Sequence, residues 1–374
     1  MIVFWFAVAA VIFLYLQSKL FQRFGWSRLT YTRKFQKRAV FRGEQLELVE
    51  QLTNAKWLPV PWLRVESQLS SSLLFQRQDN FAVSSGQLYQ NHKSFFALMP
   101  YSRITRRHRV KCLKRGLYRL DSVTLTIGDL AGFSRSARRM LLSDELVVYP
   151  APAPVSVSEL PSHGWQGETS VRRWIAEDPF VRSGTRDYRP GDTFKQINWK
   201  ATARSGKLQS HQYDYTADRK LMIYLNVDDH EGMWRDVADK ELIECGIEWA
   251  AGAAEAVVDE GMEVGFAANM PLAGASESVF IEPRSGGAQL YELLEAMARL
   301  ELVRTERLVD LLVREADRGY TGRDVLIIST YWNEALETEA RRLRGGGNEV
   351  AFWRLEAGPR SGINGDSGKD GATA

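Results

Sequence analysis

Asp228, Asp229 and Glu231 follow the apolar run 220–227 and bracket His230. A hard divalent ion such as Mg²⁺ needs several oxygens gathered at one point, so Asp228 and Asp229 are the candidate metal ligands of this chain. An exposed turn at a strand end has the same composition. A second grouping lies between 182 and 208, where Arg182, Arg186, Arg189, Lys195, Lys200 and Arg204 are interleaved with Tyr188 and Trp199 around Pro190-Gly191-Asp192. Pro-Gly-Asp signals a turn, and Asp192 can accept backbone N–H bonds there or cap a following helix. Arg and aromatic side chains suit an anion or a protein surface, which makes Arg186, Tyr188, Asp192, Trp199 and Arg204 the candidate partner-binding residues. The same residues also describe an irregular segment pinned to a sheet edge by pairing of Arg186 and Arg204 with Asp187 and Asp192.

Other chemistry finds little support. The sequence contains no phosphate-binding Gly-x-x-x-x-Gly-Lys-Ser/Thr loop, no Gly-x-Ser-x-Gly elbow, no His-Glu-x-x-His and no Cys-x-x-Cys. Its histidines, at 92, 108, 163, 211 and 230, stand singly. Cys112 and Cys245 are too few and too far apart for a disulfide framework, which fits a reducing compartment, and Cys245 falls in an apolar helical pattern as inert core. The expectation is a protein that is not an enzyme and carries no cofactor, with Mg²⁺ at Asp228 and Asp229 as the alternative. Between 103 and 119 there are eight Lys or Arg and no acid. Such a stripe can neutralise phosphates, but no recognition helix or aromatic platform accompanies it. A strand face turned to an acidic membrane or partner is expected instead of nucleic-acid binding.

The elements that must position these residues come in blocks. Over 374 residues the net charge is only +3, yet residues 1–150 hold 23 basic and 9 acidic side chains and the remainder 26 and 37. The first sixteen residues are uncharged, and continuing the helix to residue 21 gives a span of roughly 30 Å. Lys19, Arg23 and Arg28 open a basic flank with no acid before Glu44. The positive-inside rule then predicts a single-pass anchor in the cell membrane with the bulk of the chain cytoplasmic and lipid as a partner. The expected organisation is a transmembrane helix over 1–21, a basic juxtamembrane segment over 22–39 and a β-sandwich-like domain over 40–150. An α/β unit over 155–357 and a disordered tail over 358–374 complete it. Period-two alternation at Leu46 and Leu48, at Leu63 and Val65 and at Val123, Leu125 and Ile127 carries the β reading. Beyond the Pro-rich linker 151–154, apolar strands near 220–227, 263–267, 324–329 and 349–355 alternate with helices over 239–260, 288–300 and 304–318, which predicts a doubly wound sheet.

The chain also resembles a known family. Arg186-Asp-Tyr-Arg-Pro-Gly-Asp192, Ile197-Asn-Trp-Lys200, Ala203-Arg204 and Leu208 stand at the spacing of the domain-of-unknown-function 58 family of bacterial proteins. Arg115-Gly-Leu-Tyr118, Gly128-Asp-Leu-Ala-Gly-Phe133 and Val148-Tyr-Pro150 are similar to its upstream elements. The resemblance implies a membrane-anchored β domain followed by a von Willebrand factor A-like domain, encoded beside MoxR-type AAA+ ATPases and transglutaminase-like membrane proteins. Family members often carry two spans, where this sequence offers one. Domains of the von Willebrand type that hold Mg²⁺ use Asp-x-Ser-x-Ser after the first strand, and the matching positions are Asn226, Asp228 and His230. The function so implied is a membrane-anchored adaptor that works through protein–protein interaction with an AAA+ ATPase. A divalent-metal-dependent binding protein is the alternative.

Overall fold

A computed structural model of the protein describes residues 2–75, 81–85, 89–129, 132, 134–161, 182–187, 198–205, 207–213, 220–319 and 321–356. The apolar N-terminus forms one helix, α1 (Ile2–Phe24). Its 23 residues rise about 34 Å, and among the described residues it is the one helix long and apolar enough to cross a bilayer. Lys19 and Arg23 lie near its end, and Arg28 sits just beyond it. Most of its length is exposed, but Phe21 at its foot is buried in the core of the adjoining β domain.

Ten strands make up that domain: β1 (Leu29–Phe35), β2 (Ala39–Phe41), β3 (Gln45–Asn54), β4 (Val60–Ser70), β5 (Leu73–Phe75), β6 (Phe81–Ser85), β7 (Tyr89–Leu98), β8 (Ser102–Cys112), β9 (Gly116–Gly128) and β10 (Arg135–Tyr149). They pair as two sheets, in the orders β1-β3-β8-β5 and β2-β10-β9-β4-β7-β6, and pack as a sandwich. The alternation seen in the sequence is the cause, because inward side chains recur every second residue. β1 lies inside the stretch expected to be a juxtamembrane flank. Its cations disguise a strand whose inward positions are Tyr31, Arg33 and Phe35. The basic stripe resolves the same way: on β8, Arg103, Arg107 and Arg109 face solvent while His108 and Val110 point inward.

Two apolar clusters fill the sandwich. One, with Phe21, Leu52, Leu63, Phe96 and Ile127, lies at the end where α1 enters, and the other, with Leu46, Leu69, Val110, Leu146 and Val148, at the far end. Between them is a buried polar set. The Tyr31 hydroxyl donates to Glu50 Oε1 at 2.7 Å, His108 Nε2 lies 3.2 Å from Glu50 Oε2, and Arg33 donates to Ser67 Oγ. Burial alone would raise the Glu50 carboxyl, but His108, Arg33 and Tyr31 outweigh it and hold Glu50 below its usual range. Burial pushes His92 down to about 3, so its ring is neutral at pH 7.

Lys56, on the β3–β4 loop, is buried, and its ammonium has no hydrogen-bond partner among the described residues. Burial lowers it to about 8 from the ordinary 10.5. The unfolded chain therefore binds the proton more tightly than the folded one, and stability must rise with pH between those two values. Lys56→Met is expected to abolish that rise and to stabilise the detergent-solubilised protein by roughly 1–3 kcal/mol at pH 7, measured by denaturant titration across pH. An unchanged pH slope in the variant would show that Lys56 is solvated.

Past the sandwich, β11 (Arg182–Asp187) pairs antiparallel with β12 (Gln209–Tyr213), and α2 (Trp199–Ser205) lies between them in sequence. The remaining elements are β13 (Lys220–Leu225), α3 (Lys240–Asp259), β14 (Glu263–Pro271), β15 (Ser278–Arg284), α4 (Gly287–Arg299), α5 (Leu308–Asp317), β16 (Arg323–Ser329), α6 (Glu334–Gly345) and β17 (Val350–Arg354). Their sheet runs β15-β14-β13-β16-β17, with β13 parallel to both neighbours, β17 parallel to β16 and β15 an antiparallel edge. Side chains alternate across β13. Leu221, Ile223 and Leu225 pack with α3 and α4, and Met222 and Tyr224 with α5 and α6, so helices cover both faces. Neither β15 nor α6 is expected from the sequence: β15 carries Pro283, and α6 buries only Leu336, Ala340 and Leu343 among charged residues. The tail 358–374 lies outside the described residues.

The sandwich and the α/β unit are joined closely. Residues 151–154 cross α3 at Gly252, where a Cβ would lie 2.0 Å from the Ala153 carbonyl oxygen, so only glycine permits the contact. Arg115, from the β8–β9 loop, is buried and reaches into the other unit. Its Nε donates to Glu244 Oε2 of α3 at 2.7 Å, and its Nη1 donates to the carbonyls of Met297, Ala298 and Leu300 at 2.6, 3.2 and 3.2 Å. Those carbonyls belong to the end of α4, where intrahelical donors run out and a cation is favoured. Arg42 adds an ion pair to Glu248 at 2.7 Å.

Candidate functional site

In an open sheet of this kind, ligands bind beyond the carboxyl ends of the strands, where the connections part in opposite directions. Here that point lies between β13 and β16, because the chain leaves β13 for β14 on one side and returns to β16 on the other. The residues that emerge there are Asn226 and Asp228 after β13, Asn269 on β14 and Ser329 at the end of β16, all buried.

Their polar atoms satisfy one another. Asn226 Nδ2 donates to Ser329 Oγ at 2.9 Å, and Asn226 Oδ1 accepts from Asn269 Nδ2 at 2.9 Å and from the Asp228 amide at 3.0 Å. Asn269 Oδ1 accepts from the Val227 amide at 2.9 Å. Ser329 Oγ donates to the Tyr331 carbonyl at 2.7 Å, which ties in the loop after β16. Asp228 serves the neighbouring loop. Its Oδ2 accepts from the Leu308 amide at 3.1 Å, at the start of α5, and its Oδ1 faces Arg304 Nη1 at 3.4 Å. A carboxylate at a helix N-terminus is favoured by the free amides and the helix dipole. Burial raises the Asp228 carboxyl, and the Leu308 amide and Arg304 oppose that rise.

Asp229 pairs instead with the ring Nδ1 of its neighbour His230, and its carboxylate does not join that of Asp228 in any group of three or more possible metal ligands among the described residues. The loop carrying them also displays Trp234, 82% exposed. Sequence reasoning passed over this residue, although a lone Trp in the polar stretch Glu231-Gly-Met-Trp-Arg235 was a readable signal.

The expected partner-binding residues fall unevenly. Arg186 is on β11, opposite Ser210 of β12, and Arg204 is exposed on the last turn of α2. Trp199 is the first residue of α2, and Tyr188 and Asp192 lie outside the described residues. The cap of α2 is Asn198, which was missed: its Oδ1 accepts from the Ala201 amide at 3.0 Å while its own amide donates to Gln209 of β12 at 2.8 Å. Asn198 thus starts the helix that Trp199 and Lys200 enter and ties it to β12.

The chain aligns at 21% identity over 222 residues, 59% of its own length, with the Uncharacterized protein YeaD of Bacillus subtilis (strain 168), and the alignment spans 54% of that relative. Among solved structures, a non-cellulosomal cohesin from the hyperthermophilic archaeon Archaeoglobus fulgidus matches 32% of this chain and 91% of its own at 10% identity and a TM-score of 0.23. Native alpha-2-macroglobulin from Escherichia coli matches 33% of this chain and 23% of its own at 13% identity and a TM-score of 0.24. The family model described as Protein of unknown function DUF58 matches residues 184–352, from β11 to β17.

Proposed function

We propose that the protein is a membrane-anchored, non-enzymatic adaptor whose α/β unit, read as a doubly wound domain of the von Willebrand factor A type, docks a protein partner on the cytoplasmic side. One observation carries this reading: the polar side chains at the strand ends are spent on holding loops, Asn226 and Asn269 among them fixing the start of the loop after β13, which presents an exposed Trp234. Buried Trp anchors and Arg dominate protein interfaces, and Arg204 offers a second such residue on α2. The donor set does not fit a hard divalent ion, since Asn226 replaces the leading carboxylate and Asp228 already serves Leu308 and Arg304. A MoxR-type AAA+ ATPase is the partner class that the family resemblance suggests.

The test is co-purification of the full chain from detergent extracts at native expression. The wild type is expected to recover an AAA+ ATPase, and Trp234→Ala or Arg204→Ala to weaken its binding about 30-fold, the equivalent of ~2 kcal/mol, with unfolding curves unchanged. Recovery of no ATPase by the wild type would overturn the proposal. If Arg204→Ala unfolds the chain, the α2 segment is structural and Trp234→Ala alone decides.

A further inference from the structure

The end of the sandwich from which α1 departs differs in character from the end that meets the α/β unit. Leu29 opens β1 opposite Asn54, the last residue of β3, and Asn54 faces Ser102, the first of β8. Val60 opens β4 opposite Leu98, the last residue of β7, and Gly128 ends β9 opposite Arg135, the first of β10. The register therefore gathers the turn 25–28 and the loops 55–59 and 99–101 at one end. Trp57 is 57% exposed on one loop, and Met99 and Tyr101 are each 72% exposed on the other. The Tyr101 amide donates to the Lys56 carbonyl at 3.1 Å, which ties the two loops together. Phe24 is exposed beside them at the foot of α1.

Cations surround these side chains. Arg23, Arg28, Arg103, Arg135 and Arg138 are exposed, and the Arg138 guanidinium lies 4.9 Å from the Trp26 ring centroid. Among the described residues of 20–34, 53–60, 98–106 and 126–140, the one acid is Asp129, which is buried and accepts from the Ser134 amide. Exposed aromatics beside Arg, with no exposed acid, match the interface of an anionic bilayer, where aromatic rings settle at headgroup level and each cation near the surface adds attraction. The position of α1 selects that occupant over a protein. Phe21 is packed among Leu52, Leu58, Leu63 and Ile127, and the Gly25 amide donates to the Phe21 carbonyl at 2.7 Å, so the helix enters the sandwich without a linker.

The geometry points to a bilayer-docking collar: Trp57, Met99 and Tyr101 insert into the headgroup zone of the leaflet that α1 enters, and Arg103, Arg135 and Arg138 meet its anionic phosphates. The α/β unit then stands off by the length of the sandwich, about 40 Å for the 13 residues of β9, in a fixed orientation. This inference rests on the anchored reading of α1, and the experiment separates the two.

The full chain is reconstituted in vesicles of phosphatidylcholine and phosphatidylglycerol, with or without shallowly brominated phosphatidylcholine as the quencher. Flotation reports anchoring first, and a chain that does not float overturns the anchored reading itself. For the floating chain, the fluorescence difference between wild type and Trp57→Phe isolates Trp57, an exposed position where the conservative change spares the core. That difference is expected to fall at least twofold in brominated vesicles. A Trp57 component equally bright with and without bromine overturns the collar and leaves the anchor standing. A protein covering these loops would give that same unquenched result.

Discussion

Arg115→Met is expected to destabilise the full chain by about 3 kcal/mol and to lower its unfolding midpoint by roughly 6–12 °C. The substitution removes a buried guanidinium whose bonds run to Glu244 and to three carbonyls at the end of α4. Glu244 retains some contact with water, which places the loss at the lower end of the range for breaking a buried pair from one side. The carbonyls fare worse, since they lose a donor at a helix end where the helix itself supplies none. Arg115→Lys should recover only part of the loss, because one ammonium cannot reproduce a fork that bonds a carboxylate along one edge and several carbonyls along another. Thermal unfolding in detergent measures the first effect, and faster proteolysis at residues 151–154 reports loosening of the joint. A shift below about 2 °C with unchanged proteolysis would mean that the linker crossing at Gly252 holds the two units without Arg115.

The second large effect is expected at Asn226. Asn226→Asp restores the carboxylate that a Mg²⁺-binding von Willebrand domain would have, yet it should cost about 3 kcal/mol or more rather than create a useful site. The side chain is fully buried and donates through Nδ2 to Ser329 Oγ. A carboxylate there loses that donor and places a second negative charge beside Asp228, whose own carboxyl burial already raises. Denaturant titration of the variant with and without millimolar Mg²⁺ separates the alternatives. Under the adaptor reading Mg²⁺ leaves the curve unmoved. Recovery of stability on adding Mg²⁺, by the linkage between ligand binding and folding, would reinstate the metal-dependent reading with Asp228 and Asp229 as ligands.

Both predictions turn on residues whose type was plain in the sequence and whose work was not. Arg115 stood in a run of eight cations and read as one more surface charge. Its partners are more than 120 positions away, on α3 and α4, and no local pattern encodes such a distance. Asn226 was legible as a departure from a metal motif, but the compensating Asn269 and Ser329 come from two other strands. β1 was hidden because its inward Arg33 answers Ser67 and the buried Glu50 on other strands, so its alternation is not one of hydrophobicity alone.

By itself the sequence determined what local periodicity and composition control. These are a helix long enough to span a bilayer, period-two strands over the first third, and a helix–strand alternation with Gly261 ending α3 at a left-handed φ of 73°. It also showed the split of charge between the two parts of the chain. The tertiary structure decided everything that depends on register and on which ends meet. It set α1 at one end of the sandwich and the α/β unit at the other, assigned Arg115 to their joint, and turned the candidate metal ligand Asp228 into a loop anchor. The physical reason is the same in each case. A buried polar group is stable only with its partner in place, and that partner is chosen by strand order across the sheets rather than by neighbours along the chain.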